Sequence, residues 1–594
     1  MTGRNIRLLK NLPTSFLGFF GRTSGLRLAS EVAMLKSILL GGALAAAGVF
    51  ATGQGAFAAP PPPLGGGQLQ QIPQAPTPER SVPDIRIERG ARGQEAGPAG
   101  PKVLVRSLRV TGETLFPEAQ LIAASGFRPG SQLDLHDLRV MAGRISEFYN
   151  RRGYFVAQAY VPAQDIQDGV VTIAVIEARY GKVTLDNRTN LSNRLAHSVL
   201  SGLDVGAPVA SAPLERRLLL LSDIPGVVVT STLSPGVQVG TSDLTVAVAP
   251  GPRFSGSIDG DNAGDPYSGS YRLGATLNVN DPTGHGDLIT LRGLSSFNGL
   301  NYGRAAYQIE VQDATVGVSY AALGYRLHGP FSSLEAHGTA EVASVFASYP
   351  LVRSYDNNLV LQASFEDRTF QDKEDAIPSV VDKTERAGAI GVSGDHHDGF
   401  GGGGWNQFYL GYTFGDLDIR TPAARLADLG GARADGGYGK LSYSVSRLQT
   451  VAGPFSVFGL VRGQVASKNL DISEKMELGG AYAVRAYAEG LIYGDDGYVA
   501  TIEARLRLPP MPQPIPGRAQ LFAFFDTGSA LINHSPWLVG RNRESVSGAG
   551  FGVNWEAARN FVVKATYAHT VGDAVGVPGP VSSSRVWVQL DKFF

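Results

Sequence analysis

Two rhythms of apolar and polar residues divide this chain. From Val103 the pattern changes element by element. VLVRSLRV alternates as a strand, and PEAQLIAASG reads as a short helix with Pro117 at its start and Gly126 near its end. Within residues 134 to 150, Leu138, Met141, Ile145 and Phe148 recur at helical spacing. Strands follow around Phe155 to Val161 and Val170 to Glu177, giving the order β-α-α-β-β. That order repeats at once: KVTLDN as a strand, LSNRLAHSVLSGL as a helix, APLERRLLLLSDI as a helix starting at Pro213, then strands VVVTSTL and SDLTVAVA. Five elements reproduced in sequence mark a tandem α/β module.

After Pro252 the helical period vanishes and strict alternation runs to the C-terminus. LVLQASFE sets Leu359, Leu361, Ala363 and Phe365 against Gln362, Ser364 and Glu366. IEARLRL sets Ile502, Ala504, Leu506 and Leu508 against Glu503, Arg505 and Arg507, and FVVKATYA sets Phe561, Val563, Ala565 and Tyr567 against Lys564 and Thr566. A soluble sandwich also has one apolar face. Successive charges inside one strand, opposite bare aliphatics, fit a wet lumen and a lipid face better. Roughly sixteen such segments are present, an even number as single-chain bacterial barrels require. The last, RVWVQLDKFF, sets Val586, Val588, Leu590 and Phe594 on the apolar face and runs to the final residue.

Composition agrees with a large antiparallel β protein. The 594 residues include 75 Gly, 27 Phe and 21 Tyr, and 18% are charged, against about 25% in average soluble domains. The net charge of −1 and the absence of a basic tract point away from nucleic acid. Zero cysteine excludes disulfides, thiolate metal sites and a catalytic thiol, and suits an oxidising compartment.

MLKSILLGGALAAAGVFATGQGAFAA, residues 34 to 59, reads as an export signal: Lys36, an apolar stretch from Ile38 to Phe50, and an Ala56-Phe57-Ala58 cleavage site. It makes Met34 a candidate initiator. No later segment offers the roughly 18 apolar residues of a membrane helix, so a membrane position requires a closed barrel. The expected division is a signal region 1–58, a Pro/Gly-rich linker 59–102, modules 103–178 and 179–251, and a barrel 252–594 with a long loop 468–496.

Catalytic and metal patterns are missing. DGDNAGD at 259 to 265 lacks the downstream Glu of a Ca²⁺ loop and reads as a strand end and turn. His396-His397 falls in an apparent turn without further ligands at metal spacing, and Gly53-Gln54-Gly55 lies in the signal. No GxSxG, HExxH or Walker pattern occurs, so neither an enzyme nor a cofactor is expected. One charge stands out instead. AYAVRAYAEG, residues 481 to 490, holds a lone guanidinium, Arg485, among small and aromatic residues.

Several motifs resemble the outer-membrane transporters of two-partner secretion, the ShlB/FhaC/HecB haemolysin secretion and activation proteins. YNRRGYFVAQAYVPAQ is similar to the family pattern at Tyr149, Gly153, Tyr154, Pro162 and Gln164. LLLLSDIPGVVVTSTLSPGVQVGTSDLTV is similar to its second signature, including Asp223, Pro225 and Gly226. The resemblance implies two periplasmic α/β POTRA domains (β-α-α-β-β) ahead of a 16-stranded antiparallel transmembrane β-barrel in a Gram-negative outer membrane. It makes Val484, Arg485, Tyr487 and Gly490 the tip motif of a long loop folded into the barrel, with Ala486 in place of the usual Gly. It makes Phe524, Asp526 and Gly528, in LFAFFDTGS, the matching motif on a barrel strand.

Alternation places Phe522, Phe524 and Asp526 on one face, lumenal if Leu521, Ala523 and Phe525 face lipid. An Arg485–Asp526 pair is then expected to pin the loop, since a guanidinium fork suits a carboxylate bidentately. Alanine at 486 leaves that chemistry intact and bears on the turn, because Gly tolerates positive φ. Tyr154 is expected mainly to pack its module. Family members often carry an N-terminal plug helix; the only helix-compatible piece here is GQLQQI, with prolines crowding both sides. The implied partners are a secreted exoprotein (adhesin or cytolysin) in extended form, outer-membrane lipid, and the barrel assembly machinery, which reads the terminal Phe594. The rival reading is an insertase of the BamA type, which shares the barrel and loop motif but usually carries more POTRA repeats.

Overall fold

The computed structural model describes residues 64–76, 83–87, 100–512, 516–557, 560–572 and 582–594. The export signal, its cleavage site and the Met34 start lie outside the described residues.

The described chain begins with a short helix, α1 (Gly65–Gln70), and a short strand, β1 (Asp84–Ile87). The first module follows as β2 (Val103–Val105), β3 (Ser107–Thr111), α2 (Glu118–Ser125), β4 (Ser131–Leu133), α3 (Leu135–Arg151), β5 (Gln158–Tyr160) and β6 (Val170–Ile176). Its main sheet has the order β3-β6-β5, and β2 pairs with β4 beside it. Helix α3 starts on a capping box, in which the Asp134 carboxylate accepts the Asp137 N–H at 2.9 Å and Asp137 reciprocates at 3.1 Å. Leu138, Met141, Ile145, Phe148 and Tyr149 form its buried stripe, as the helical spacing expects. The expected strand from Phe155 to Val161 is shorter than its pattern, because Phe155 and Val156 leave the sheet to pack against the core of the second module.

The second module comprises β7 (Arg179–Asn187), α4 (Asn193–Val199), α5 (Ser211–Asp223), β8 (Val227–Pro235) and β9 (Thr241–Pro250). Helix α5 opens two residues before Pro213, which sits in its first turn where a missing N–H costs nothing. The sheet order is β1-β8-β9-β7, so the strand from the N-terminal segment lies parallel to β8, from Asp84↔Thr230 to Ile87↔Leu233.

From β10 (Phe254–Asp261) to β27 (Ser584–Phe593), sixteen antiparallel strands close into a barrel in chain order, with two short strands, β21 (Met476–Glu477) and β22 (Tyr493–Gly494), inside a loop. Strand β27 returns to β10 over Ser257↔Phe593 to Asp261↔Gln589, extended by reciprocal Gly256–Phe594 main-chain bonds of 3.0 and 3.1 Å. Closure removes every sheet edge, which a chain in lipid requires. Alternation sorts the two faces: Ile502, Leu521, Phe525, Val588 and Leu590 are exposed outward, while Glu503, Phe522, Phe524 and Asp526 are buried inward. No helix among the described residues is long and apolar enough to cross a membrane.

Two local expectations are refined. His396 and His397 belong to a strand, β17 (Ser379–Asp398), where His397 stacks on Trp405 at 5.6 Å. The DGDNAGD carboxylates are partly spent on arginines: Asp259 on Arg292 and Asp261 on Arg272, each at 2.9 Å.

The first module gathers its turn around one buried carboxylate. Glu177 accepts from the Thr114 and Leu115 N–H groups at 2.7 and 2.8 Å, from the Thr114 hydroxyl, and from the Tyr149 hydroxyl at 2.7 Å. Burial pushes its carboxyl up, but these donors together hold it below the ordinary carboxylate value. A depressed folded pKa means stability present at neutral pH and lost as pH falls through the folded value. Glu177→Gln is expected to lower the module's stability by about 1–3 kcal/mol at neutral pH. It should also flatten the acid dependence below the usual carboxylate range. Hydrogen exchange at Thr114, Leu115 and α3, followed against pH, checks both.

Candidate functional site

The lumen is occupied by residues 467–495, which connect β20 (Phe455–Ala466) to β23 (Asp496–Arg507). The loop runs inward, pairs β21 with β22 at Met476↔Gly494 and Glu477↔Tyr493, and presents its tip to the wall. Arg485 meets Asp526 of β24 (Gly517–Leu531) as a fork: Nε to Oδ2 at 2.8 Å and a terminal guanidinium nitrogen to Oδ1 at 2.8 Å. Its own backbone N–H adds a third bond to Asp526 at 3.2 Å. The guanidinium lies 3.5 Å from the Phe524 ring centroid, where the ring quadrupole favours a cation. Arg485 is 5% exposed and Asp526 0%, so the pair is out of water.

A second carboxylate, not assigned from the sequence as a partner, completes the site. Glu503 accepts from Arg485 at 2.8 Å and from Arg505 at 2.8 Å. Its signal was the run of charges on the lumenal face of β23; the register Glu503↔Phe524 and Thr501↔Asp526 sets it beside the Arg485–Asp526 pair. Thr501 donates to Asp526 at 2.9 Å, and the Trp587 indole N–H donates to the Arg485 carbonyl at 2.7 Å. Both carboxylates around the cation are therefore hydrogen-bonded, as a buried ion pair demands.

The remaining motif residues shape the fit. Val484 and Tyr487 are buried with Leu478, Phe522 and Phe524 in one apolar cluster. A side chain at Gly528 would press on Leu478 and Val484, each at 3.3 Å. Gly490 has φ +74° and stands where a Cβ would meet Gln71 and Asp265 within 2.8 Å. Ala486 is not among the described residues with positive φ, so its methyl strains no turn. That methyl lies over Gly548, where a Cβ would come within 2.5 Å of it.

Helix α1 also lies inside the barrel. Its first N–H donates to Asp372 at 2.9 Å, Gln70 donates to the Ile472 carbonyl at 2.9 Å, and Gln71 donates to Tyr493 at 2.8 Å. Arg272 donates to the Gln71 carbonyl at 2.8 Å, and Ser268 to Gln68 at 2.5 Å. Three glycines let it lie flush, since Cβ atoms on Gly65, Gly66 and Gly67 would meet Asp372, Ser473 and Ile472 at 3.2 Å or less. Between this helix, the loop and the wall remains a polar cavity of about 850 Å³, lined in part by Ile72, Gln74, Lys440, Arg462 and Glu489.

The module motifs fall at joints rather than in one pocket. Tyr149 is fully buried on Glu177, and Tyr154 packs edge-on against Phe116 at 5.7 Å. Gly153, at φ +88°, accepts the Ser211 N–H at 2.8 Å across the two modules. Gln164 clasps Thr172 with two bonds of 2.7 Å and also donates to the Pro162 carbonyl at 3.3 Å. Asp223 takes the Arg353 fork at 2.7 and 2.9 Å, joining the second module to β15 (Ala336–Arg353). Beyond Pro225, Gly226 at φ +79° lies where a Cβ would touch Asn280 at 3.0 Å. Phe594 is over half exposed on the outer wall at the β10–β27 closure.

Known proteins share this architecture. The model of the haemolysin secretion/activation protein ShlB/FhaC/HecB matches residues 240–555, and that of the ShlB-type POTRA domain matches residues 103–178. The heme/hemopexin transporter protein HuxB of Haemophilus influenzae (strain 86-028NP) is 28% identical over 478 residues, covering 78% of this chain and 82% of that protein. The outer membrane transporter CdiB of Dickeya dadantii (strain 3937) is 24% identical over 448 residues, 73% of this chain and 77% of its own. The solved structure of CdiB from Escherichia coli superposes with a TM-score of 0.66 at 20% identity, covering 85% of this chain and 93% of that one. CdiB from Acinetobacter baumannii gives 0.59 at 17% identity, covering 97% and 100%. At such identity the superpositions speak for the fold, and the family match speaks for secretion over insertion. A closed sixteen-strand barrel behind POTRA modules, with that match over more than half its length, means that the chain belongs to the ShlB/FhaC/HecB haemolysin secretion/activation family, the outer-membrane transporters of two-partner secretion.

Proposed function

We propose that the protein takes one large exoprotein, of the adhesin or cytolysin class, in extended form from the periplasm and passes it through the barrel lumen to the surface. The observation that carries this reading is how the lumen is shut. Two segments fill it, α1 and the loop 467–495, and neither is a strand of the wall. A wall strand cannot leave without breaking a ladder, whereas segments held by side-chain bonds can withdraw and return. Capture by strand addition fits the modules, whose sheets carry open-ended edges. In the second module β1 already lies along β8 as an added parallel strand, a precedent within the molecule. The compartment supplies no nucleotide, so folding of the partner at the surface biases the direction.

In this reading Arg485, Asp526 and the residues packed around them hold the resting loop, and the joints at Gly153, Asp223 and Gly226 hold the modules under the pore. The lipid-facing band of the barrel sets its depth, and Phe594 is the assembly signal.

Arg485→Ala is expected to leave a heat-modifiable barrel in the outer membrane while secretion falls sharply. Removing one partner of a desolvated pair costs about 3–5 kcal/mol locally. Arg485→Lys should not rescue, because an ammonium cannot reproduce the fork to Asp526. Wild-type export by Arg485→Ala at equal barrel abundance would sink the lock assignment.

Removal of Phe594 is expected to slow membrane insertion and raise periplasmic degradation, while the molecules that do insert melt nearly normally. Pulse-labelled insertion decides: unchanged insertion with a lowered melting temperature means that Phe594 only packs.

A further inference from the structure

Away from the Arg485 lock, the descending arm of the long loop is tied to the opposite wall by a second set of charges. Glu474 takes Arg368 of β16 (Asn357–Glu374) and, at 2.6 Å, Lys440 of β19 (Gly436–Ala452). Arg368 also reaches Glu385 at 3.1 Å and Glu366 at 2.7 Å. Beside them, Lys383 of β17 faces two carboxylates from different parts of the chain. Its ammonium lies 2.9 and 3.2 Å from the Asp471 oxygens, on the loop, and 3.9 Å from Asp372 Oδ2, on the wall.

Asp372 is the residue that caps the plug. Its Oδ1 accepts the Gly65 N–H at 2.9 Å and the Tyr325 hydroxyl at 2.6 Å, and its Oδ2 has no hydrogen-bond donor among the described residues. The charge on that second oxygen is therefore faced by Lys383 alone among the ion pairs of this group. Asp372 and Lys383 side chains are each 5% exposed and Asp471 14%, so one ammonium serves both anions in a largely dry site.

We infer that Lys383 is a positioning residue that couples the plug helix to the long loop. When α1 withdraws, Asp372 loses its amide donor and the space left beside Gly65 admits water. Hydration of Lys383 and Asp471 then weakens their pair, because the same charges attract far less in water than in a dry site. The loop arm at Asp471–Ser473 loosens as the plug leaves. By thermodynamic reciprocity, freeing the arm also loosens the plug. Direct packing of Gly66 on Ser473 and the Gln70–Ile472 bond act alongside, so the test must separate charge from contact.

The chain has no cysteine, so spin labels can be placed cleanly. Labels at Gln74→Cys and at Tyr482→Cys, each measured against Val451→Cys near the end of β19, report plug and loop positions in the purified full-length barrel. Among the described residues Asp372 makes no hydrogen bond or ion pair to the loop except through Lys383, yet Asp372→Asn should raise the displaced-loop population by about fivefold or more, the lower range of site-to-site coupling. Asp471→Asn should raise plug release by a similar factor. In a Lys383→Met background, or Lys383→Gln should that variant fail to assemble, Asp372→Asn should no longer move the loop. A loop that stays in place in Asp372→Asn overturns the inference. So does a loop that moves equally with and without Lys383, which assigns the coupling to packing. The inference rests on the plug and loop being the moving parts of the transporter. The distances need no exoprotein, so its failure is distinguishable from failure of the secretion reading.

Discussion

A barrel of sixteen strands encloses more lumen than its own inward side chains fill, and a stopper made of the long loop and α1 takes up that space. Here that stopper is anchored on a guanidinium taken out of water. Arg485 is tolerated out of water because Asp526 and Glu503 accept its N–H groups and Phe524 covers one face, while its own backbone N–H adds a further bond to Asp526. Such a pair is weak evidence for stability and good evidence for position: its geometry is lost as soon as one partner moves. The loop conformation, the shape of the residual cavity and the seat of α1 all follow from where that tip is held.

The same constraint explains the glycines that matter. Gly528 and Gly548 clear the wall for Val484 and Ala486, and Gly490 clears the tip for Gln71. The plug itself begins with three glycines, poor helix formers in isolation. They are tolerated because the helix is short, buried over its first four residues, and must touch Asp372, Ser473 and Ile472 without side chains between. Contact of this kind is tight yet breaks without exposing large apolar surface, which fits the withdrawal proposed above.

Charged forks help to join the second module to the barrel. Asp223 with Arg353, and Asp313 with Arg216 and Arg217, fix the second module beneath the wall. The first module is tied to the second through Gly153 and through Phe155 and Val156, which desert their own sheet. Its internal order depends on the bond between Glu177 and Tyr149.

What the sequence determined is what short range determines. A period of two and a period of 3.6 are set by backbone geometry within a few residues, so the tandem β-α-α-β-β modules, the alternating barrel strands and their lumenal faces were legible in order. The Arg485–Asp526 pair was legible only through motifs that resemble a family. Glu503 was visible as a lumenal charge but not as a partner, because its distance to Arg485 depends on the β23–β24 register and on the path of a long loop. The tertiary structure alone decided the seat of α1 between prolines, the desertion of Phe155 from its strand, the pairing of β1 with β8, and the meeting of Asp372, Lys383 and Asp471. None follows from local preference: packing of the modules places Phe155 and β1, and the closed barrel brings α1 and the long loop against the wall.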